Sequence, residues 1–97
     1  MITTKQRSYL RSLANKMDAI FQIGKDGLND NLLKQIDDAL EARELIKISV
    51  LKNSFYTAKE ASSEICEELN CEGVQCIGSK LVLYRKSKKK PKIELPQ

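Results

Sequence analysis

Phe21-Gln22-Ile23-Gly24-Lys25-Asp26-Gly27-Leu28 runs from an apolar, β-branched segment straight into a turn bracketed by two glycines. Ala19-Ile20-Phe21-Gln22-Ile23 is short, rich in residues that favour extended backbone, and stopped by glycine, so it reads as a buried strand. Beyond the turn, Asn29 or Asp30 can cap a helix that carries Leu33, Ile36 and Leu40 on one face and ends near Arg43. Leu45-Ile46-Lys47-Ile48-Ser49-Val50-Leu51 follows, with Ile46, Ile48 and Val50 alternating against Lys47 and Ser49, the pattern of a strand with one wetter face. Strands that alternate with helices imply right-handed crossovers and an α/β fold.

The flanking segments complete the pattern. Thr3 and Gln6 have the spacing of a capping box, and Leu10, Leu13, Ala14 and Met17 recur at helical spacing, predicting a first helix over about residues 4 to 16. Arg7 and Arg11, four apart, share a separate, solvent-exposed basic face of that helix. After the loop Lys52-Asn53-Ser54-Phe55-Tyr56, a second box formed by Thr57 and Glu60 opens a third helix with Ala58, Ala61, Ile65 and Leu69 as its buried stripe. Val74-Gln75-Cys76-Ile77 and Leu81-Val82-Leu83-Tyr84, joined through Gly78-Ser79-Lys80, form an antiparallel hairpin. The expected order is α-β-α-β-α-β-β, a compact single domain in which three helices pack on a four-stranded mixed sheet. From Arg85 onward the periodicity is lost, and Lys86-Ser87-Lys88-Lys89-Lys90-Pro91-Lys92 is a run of like charge. Residues 1–85 are therefore read as the folded domain and 86–97 as a basic tail, flexible in the free protein, with only Ile93 and Leu95 as weak docking signals.

Ninety-seven residues leave room for one core, and 41% apolar residues are enough to build it. No apolar stretch approaches the roughly 20 residues that a spanning helix requires, and the N-terminus enters a helical pattern without an apolar leader, so a cytoplasmic, monomeric protein with no membrane partner is expected. Cys66, Cys71 and Cys76 are odd in number and five apart, which suits neither a disulfide framework nor a metal-binding pair. With no histidine in the chain, a metal reading would have to borrow a carboxylate. Reduced thiols acting as small buried hydrophobes are the simpler reading, and no metal or other cofactor is expected.

The net charge of +4 is unevenly distributed. Residues 1–25 carry five bases against one acid, residues 80–97 seven against one, and residues 26–79 eleven acids against five bases. Such segregation suits an anionic partner met by the two ends of the chain, with an acidic face turned elsewhere. The turn adds a second signal. A strand that stops at Gly24, before a helix that starts after Gly27, leaves amide N–H groups near the positive end of a helix dipole, where a phosphate can approach the main chain. Lys25 supplies a cation at the tip, while Asp26 opposes an anion or satisfies turn amides. Lys5, Arg7, Arg11 and Lys16 are expected to flank the turn, and Lys88, Lys89 and Lys90 to add mostly nonspecific attraction. Among the aromatics, Phe55 and Tyr56 could stack on a base, but packing over the sheet edge is the favoured reading. Asp37, Asp38, Glu41, Glu64, Glu67 and Glu68 fall on predicted solvated faces, and no set of acid, base and nucleophile emerges, which argues against an enzyme.

Three runs together carry a resemblance to a known family: Thr4-Lys5-Gln6-Arg7 with Leu10-Arg11-Ser12-Leu13-Ala14, Phe21 to Leu28, and Ala39-Leu40-Glu41-Ala42-Arg43-Glu44-Leu45-Ile46-Lys47. With Gly78 and the closing run Lys80 to Arg85, the chain resembles the CRM domain (chloroplast RNA splicing and ribosome maturation) in its stand-alone bacterial YhbY-type form. The resemblance implies a fold similar to the C-terminal domain of translation initiation factor three. It also implies RNA binding through a Gly-x-x-Gly loop, here Gly24 and Gly27 with Lys25 between them, and association with precursors of the large ribosomal subunit. The expected partner is thus ribosomal RNA of the large-subunit precursor, with ribosomal proteins as further candidates. The competing expectation is an adaptor whose acidic face meets a basic ribosomal protein or assembly factor.

Overall fold

Reciprocal hydrogen bonds set where the first and third helices begin. In the computed structural model, which describes residues 2–97, the Thr3 hydroxyl accepts from the Gln6 N–H while the Gln6 side chain accepts from the Thr3 N–H, opening helix α1 (Thr4–Ala14). Thr57 and Glu60 form the same box at the start of α3 (Ala58–Leu69). Helix α2 (Asp30–Arg43) is capped by Asn29, whose side-chain oxygen accepts from the Leu32 N–H at 2.8 Å. Each arrangement satisfies amides that have no partner inside the helix. Helix α1 stops two residues short of the predicted end, because the chain tightens into a turn in which the Met17 N–H donates to the Ala14 carbonyl.

The strands are β1 (Phe21–Ile23), β2 (Leu45–Val50), β3 (Glu72–Ile77) and β4 (Lys80–Tyr84), in the spatial order β1-β2-β4-β3. β1 and β2 are parallel, joined by the crossover helix α2, whereas β4 lies antiparallel between β2 and β3. This is the mixed α/β sheet expected from the alternation of elements. β3 begins two residues earlier than the sequence pattern suggested, since a bulge between Gly73 and Gln75 hides its alternation.

Each face of the sheet has its own core. Ile46, Ile48, Val50, Leu81 and Leu83 pack against Ile36 and Leu40 of α2 and Ala58, Ala61 and Ile65 of α3. On the opposite face, Leu45, Val74, Val82 and Tyr84 pack against Leu10 and Ala14 of α1. The expected wetter face of β2 is thus mostly covered: α1 lies across it, Ser49 is buried, and only Lys47 remains half-exposed. The cysteines only partly follow the buried reading. Cys71 is buried and Cys66 half-buried, but Cys76, near the open end of the sheet, is exposed.

The expectation of a free C-terminal tail is overturned. Residues 86–97 fold back onto the domain because two carboxylates collect their amides. Glu44, a fully buried residue at φ 67° just after α2, accepts from the N–H groups of Ser87, Lys92 and Ile93 at 2.6–2.8 Å. Glu41 accepts from the Ser87 hydroxyl at 2.6 Å and from the N–H groups of Lys88 and Lys89. Ile93 and Leu95 then add to the core beneath α1, while Gln6 and Lys5 donate to the carbonyls of Pro96 and Gln97. The like-charge run alone could not show this, since its partners lie more than forty residues away in sequence.

Candidate nucleic-acid interface

β1 and β2 are parallel, so both end at the same edge of the sheet, and the loops that follow them meet there. The Gly24 carbonyl accepts from the Gly27 N–H at 3.1 Å, closing a tight turn with Lys25 and Asp26 exposed at its tip. Gly27 sits at φ +65°, and a Cβ there would lie 3.3 Å from the Tyr56 ring. One on Gly24 would meet Leu51 and Asn53 at ordinary contact distance. The turn therefore rests against loop 51–57. That loop is itself held by the Leu51 N–H donating to Ile23 and by the Tyr56 hydroxyl donating to Glu64 at 2.8 Å. The bond to Glu64 and the surrounding carboxylates raise the Tyr56 phenol above its ordinary pKa.

Strand register assembles a second part of the surface. Gln22 lies opposite Ser49, Ser49 opposite Lys80, and Lys80 opposite Ile77, so these four share a row on the α1 side of the sheet, one residue from the ends of β1 and β2 and at the very ends of β3 and β4. In the next row Lys47 lies opposite Val82 and Val82 opposite Gln75. Helix α1 ends before covering this strip, and a cavity of about 190 Å³ lined by Asn15, Lys47, Gln75, Ile77, Lys80 and Val82 remains beside its C-terminus. The Lys80 ammonium donates to the Ser49 hydroxyl at 2.9 Å. Among the described residues, every ion pair involves Arg85, so Lys25, Lys47, Lys52 and Lys80 hold no carboxylate. Lys47, Lys52 and Lys80 were not among the residues expected at the site. Alternation along β2 marks Lys47 as outward-facing, but only strand order shows that Lys47 and Lys80 are neighbours.

The other expected site residues divide between the two ends of the sheet. The Ile2 N–H donates to Glu72, which pairs with Tyr84 at the level where β2 begins, so α1 starts at the end remote from the turn and runs toward it. Lys5 and Arg7 accordingly belong to the remote end, and Lys16 follows the helix on the turn side. Only Lys25, Gly24 and Gly27 form the turn itself. Arg7 and Arg11 are half-buried rather than fully exposed, and the Arg7 Nε is buried without a hydrogen-bond partner. Arg7 shares the inward-facing side of the helix with Leu10 and Ala14, which explains its burial.

Lys88, Lys89 and Lys90 stand exposed at the remote end, on backbone pinned by Glu41 and Ser87. The bonds from the Ser87 hydroxyl and the Lys88 N–H, with lesser help from Lys89 and Arg85, outweigh desolvation and lower the Glu41 carboxyl to about 2. At Glu44, burial pushes the carboxyl up, but the three N–H bonds and the nearby Lys86 charge outweigh it, and the net shift is downward. Arg85 bridges Asp37 at 3.1 Å and Glu41 at 3.3 Å, so it and these two acids, expected to be solvated, hold the structure together.

Comparison with known proteins agrees with this architecture. The chain is 48% identical over 96 residues to the probable RNA-binding protein YqeI of Bacillus subtilis, covering 99% of this chain and all of the relative. It is 36% identical to an RNA-binding protein of Haemophilus influenzae, covering 99% and 96% of the two chains. The solution structure of hypothetical protein SAV1595 from Staphylococcus aureus, for which RNA binding is suggested, matches with a TM-score of 0.73 and 54% identity over 99% of this chain and all of that one. The CRS1 / YhbY (CRM) domain profile matches residues 2–85, the three helices and the whole sheet, and the chain belongs to that family.

Proposed function

We propose that this protein is a non-catalytic RNA-binding protein of the cytoplasm, acting as a monomer on ribosomal RNA of the large-subunit precursor and assisting ribosome assembly. The observation that carries the RNA contact is a set of unpaired lysines, Lys25 and Lys52 on the two loops that meet at the glycine turn and Lys47 and Lys80 on the strip of sheet that α1 leaves uncovered. Ammonium groups without carboxylate partners are free to displace the counterions of a phosphate backbone, and the glycines let that backbone come close to the main chain. Family membership and the RNA-binding names of the relatives support the same reading. Lys5, Arg7 and Arg11 on α1, Lys16 just beyond its end, and the tail lysines Lys88, Lys89 and Lys90 are assigned to the same RNA-binding role as further basic groups.

The adaptor reading has less surface to work with. Asp37, Glu41 and Glu44, three of the acids in the middle of the chain, already bind Arg85 and the C-terminal segment.

Two measurements test the proposal. Lys25→Ala and Lys47→Ala should each weaken binding to large-subunit RNA and reduce the slope of log K against log salt by about 0.7–0.9 for each phosphate that is no longer neutralised. In gradient sedimentation of cell extract, the protein should travel with large-subunit precursors and move to the top after nuclease treatment. Unchanged affinity and slope would remove the surface from consideration, and a protein that stays at the top of untreated gradients would remove the ribosomal role.

A further inference from the structure

Phe55 is 89% exposed, whereas the other large apolar side chains at the surface range from 37% to 64%. It does not pack over the sheet edge, so the fold makes almost no use of its ring. Yet its backbone is not left loose. The Ser54 N–H donates to the Leu51 carbonyl and the Tyr56 N–H to the Ser54 hydroxyl, and from Thr57 the chain enters the capping box of α3. Tyr56, the next residue, is the one whose ring lies against Gly27. An aromatic ring is therefore presented to solvent on a fixed loop beside the glycine turn, with Lys25 and Lys52 on the same two loops.

We propose that Phe55 is a stacking platform for an unpaired nucleobase, whose neighbouring phosphate is received at the Gly24–Gly27 turn. The inference rests on the RNA-binding reading above and narrows it: the RNA presented at this end is single-stranded, at a loop or bulge. Every base offers a π-face to a phenyl ring, whereas inside a duplex both faces are already stacked. A protein partner is less well suited to the surroundings. A docking ring is ordinarily encircled by contacts that exclude water, and here the three residues before Phe55 in the loop, Lys52, Asn53 and Ser54, are all polar.

The test uses the full chain with a single-stranded decamer RNA and the matching duplex. Because Phe55 is so exposed, Phe55→Ala should fold normally. It should weaken decamer binding about tenfold, leave the salt slope unchanged and barely affect the duplex. The chain contains no tryptophan, so Phe55→Trp supplies a single indole, which should retain affinity and lose fluorescence when the decamer binds. Lys25→Ala serves as the contrast, since it should change the slope. If wild type and Lys25→Ala differ as expected but Phe55→Ala binds the decamer like wild type, the stacking role is wrong and the RNA surface stands. If wild type binds neither RNA, both are overturned. A Phe55→Ala variant that keeps RNA affinity but no longer joins ribosomal proteins would assign the ring to a protein contact instead and overturn the proposal.

Discussion

Gly27 and Gly24 bracket the same turn, but they are not equivalent. At φ +65°, Gly27 occupies backbone space that costs a residue with a Cβ about 1–2 kcal/mol, and its methyl would also press on the Tyr56 ring at 3.3 Å. Gly27→Ala should therefore destabilise the fold by ~1–2 kcal/mol in urea unfolding. Gly24 has ordinary φ, and its added Cβ would make only ordinary contacts at 3.5 and 3.6 Å, so Gly24→Ala should cost less than ~0.5 kcal/mol. A comparable destabilisation at both positions would show that the turn is not built this way. Glu44 also has positive φ without being glycine. Its carboxylate bonds to three amides offset that strain.

At the scale of an element, the C-terminal segment behaves as a strap whose buckle is a pair of acids. Glu44→Gln keeps the shape but removes the charge that three N–H groups point at. Hydrogen bonds to a charged group contribute about 1.5–3 kcal/mol. A destabilisation of ~2 kcal/mol is expected, with trypsin then cutting after Lys88 and Lys89 well before it cuts the rest of the domain, Lys90 being shielded by Pro91. Equal protection of wild type and variant would count against the anchoring role. The same acids set a pH window. The folded Glu41 carboxyl is depressed to about 2 from an ordinary 4.5, so its contribution is complete above pH 4.5 and disappears as pH falls toward 2. Glu44 is shifted in the same direction. Amide NMR shifts of Ser87, Lys88, Lys89, Lys92 and Ile93 should move together in that window, whereas an undocking between pH 6 and 8 would require another cause.

At the scale of the whole molecule, basic groups collect at two ends of one sheet. β2 spans about 17 Å from its first residue to its last, with Lys25, Lys52 and the glycine turn beyond one end and the docked tail at the other. Groups so far apart, with no shared partner, should act independently. Lys25→Ala and the triple change of Lys88, Lys89 and Lys90 to alanine should thus lower RNA affinity additively in log K and add in their salt slopes. A combined variant no weaker than either parent would mean that a single RNA segment does not contact both ends.

The element order, both capping boxes, an N-cap at Asn29 or Asp30 and the Gly24–Gly27 turn were legible in the chain, because each depends on residues a few positions apart. A cap joins positions i and i+3, a helical stripe repeats within two turns, and a strand alternates every second residue. What required the tertiary structure has long-range causes. Strand order made neighbours of Lys47 and Lys80, parallel pairing laid loop 51–57 against the turn, and Glu41 and Glu44 bound amides more than forty residues further on. The direction of α1 across the sheet separated Lys5 and Arg7 from the turn they were expected to flank. Composition could count the charges of the C-terminal run, but whether that run floats or docks depended on two carboxylates and two apolar side chains finding their places on an already folded domain.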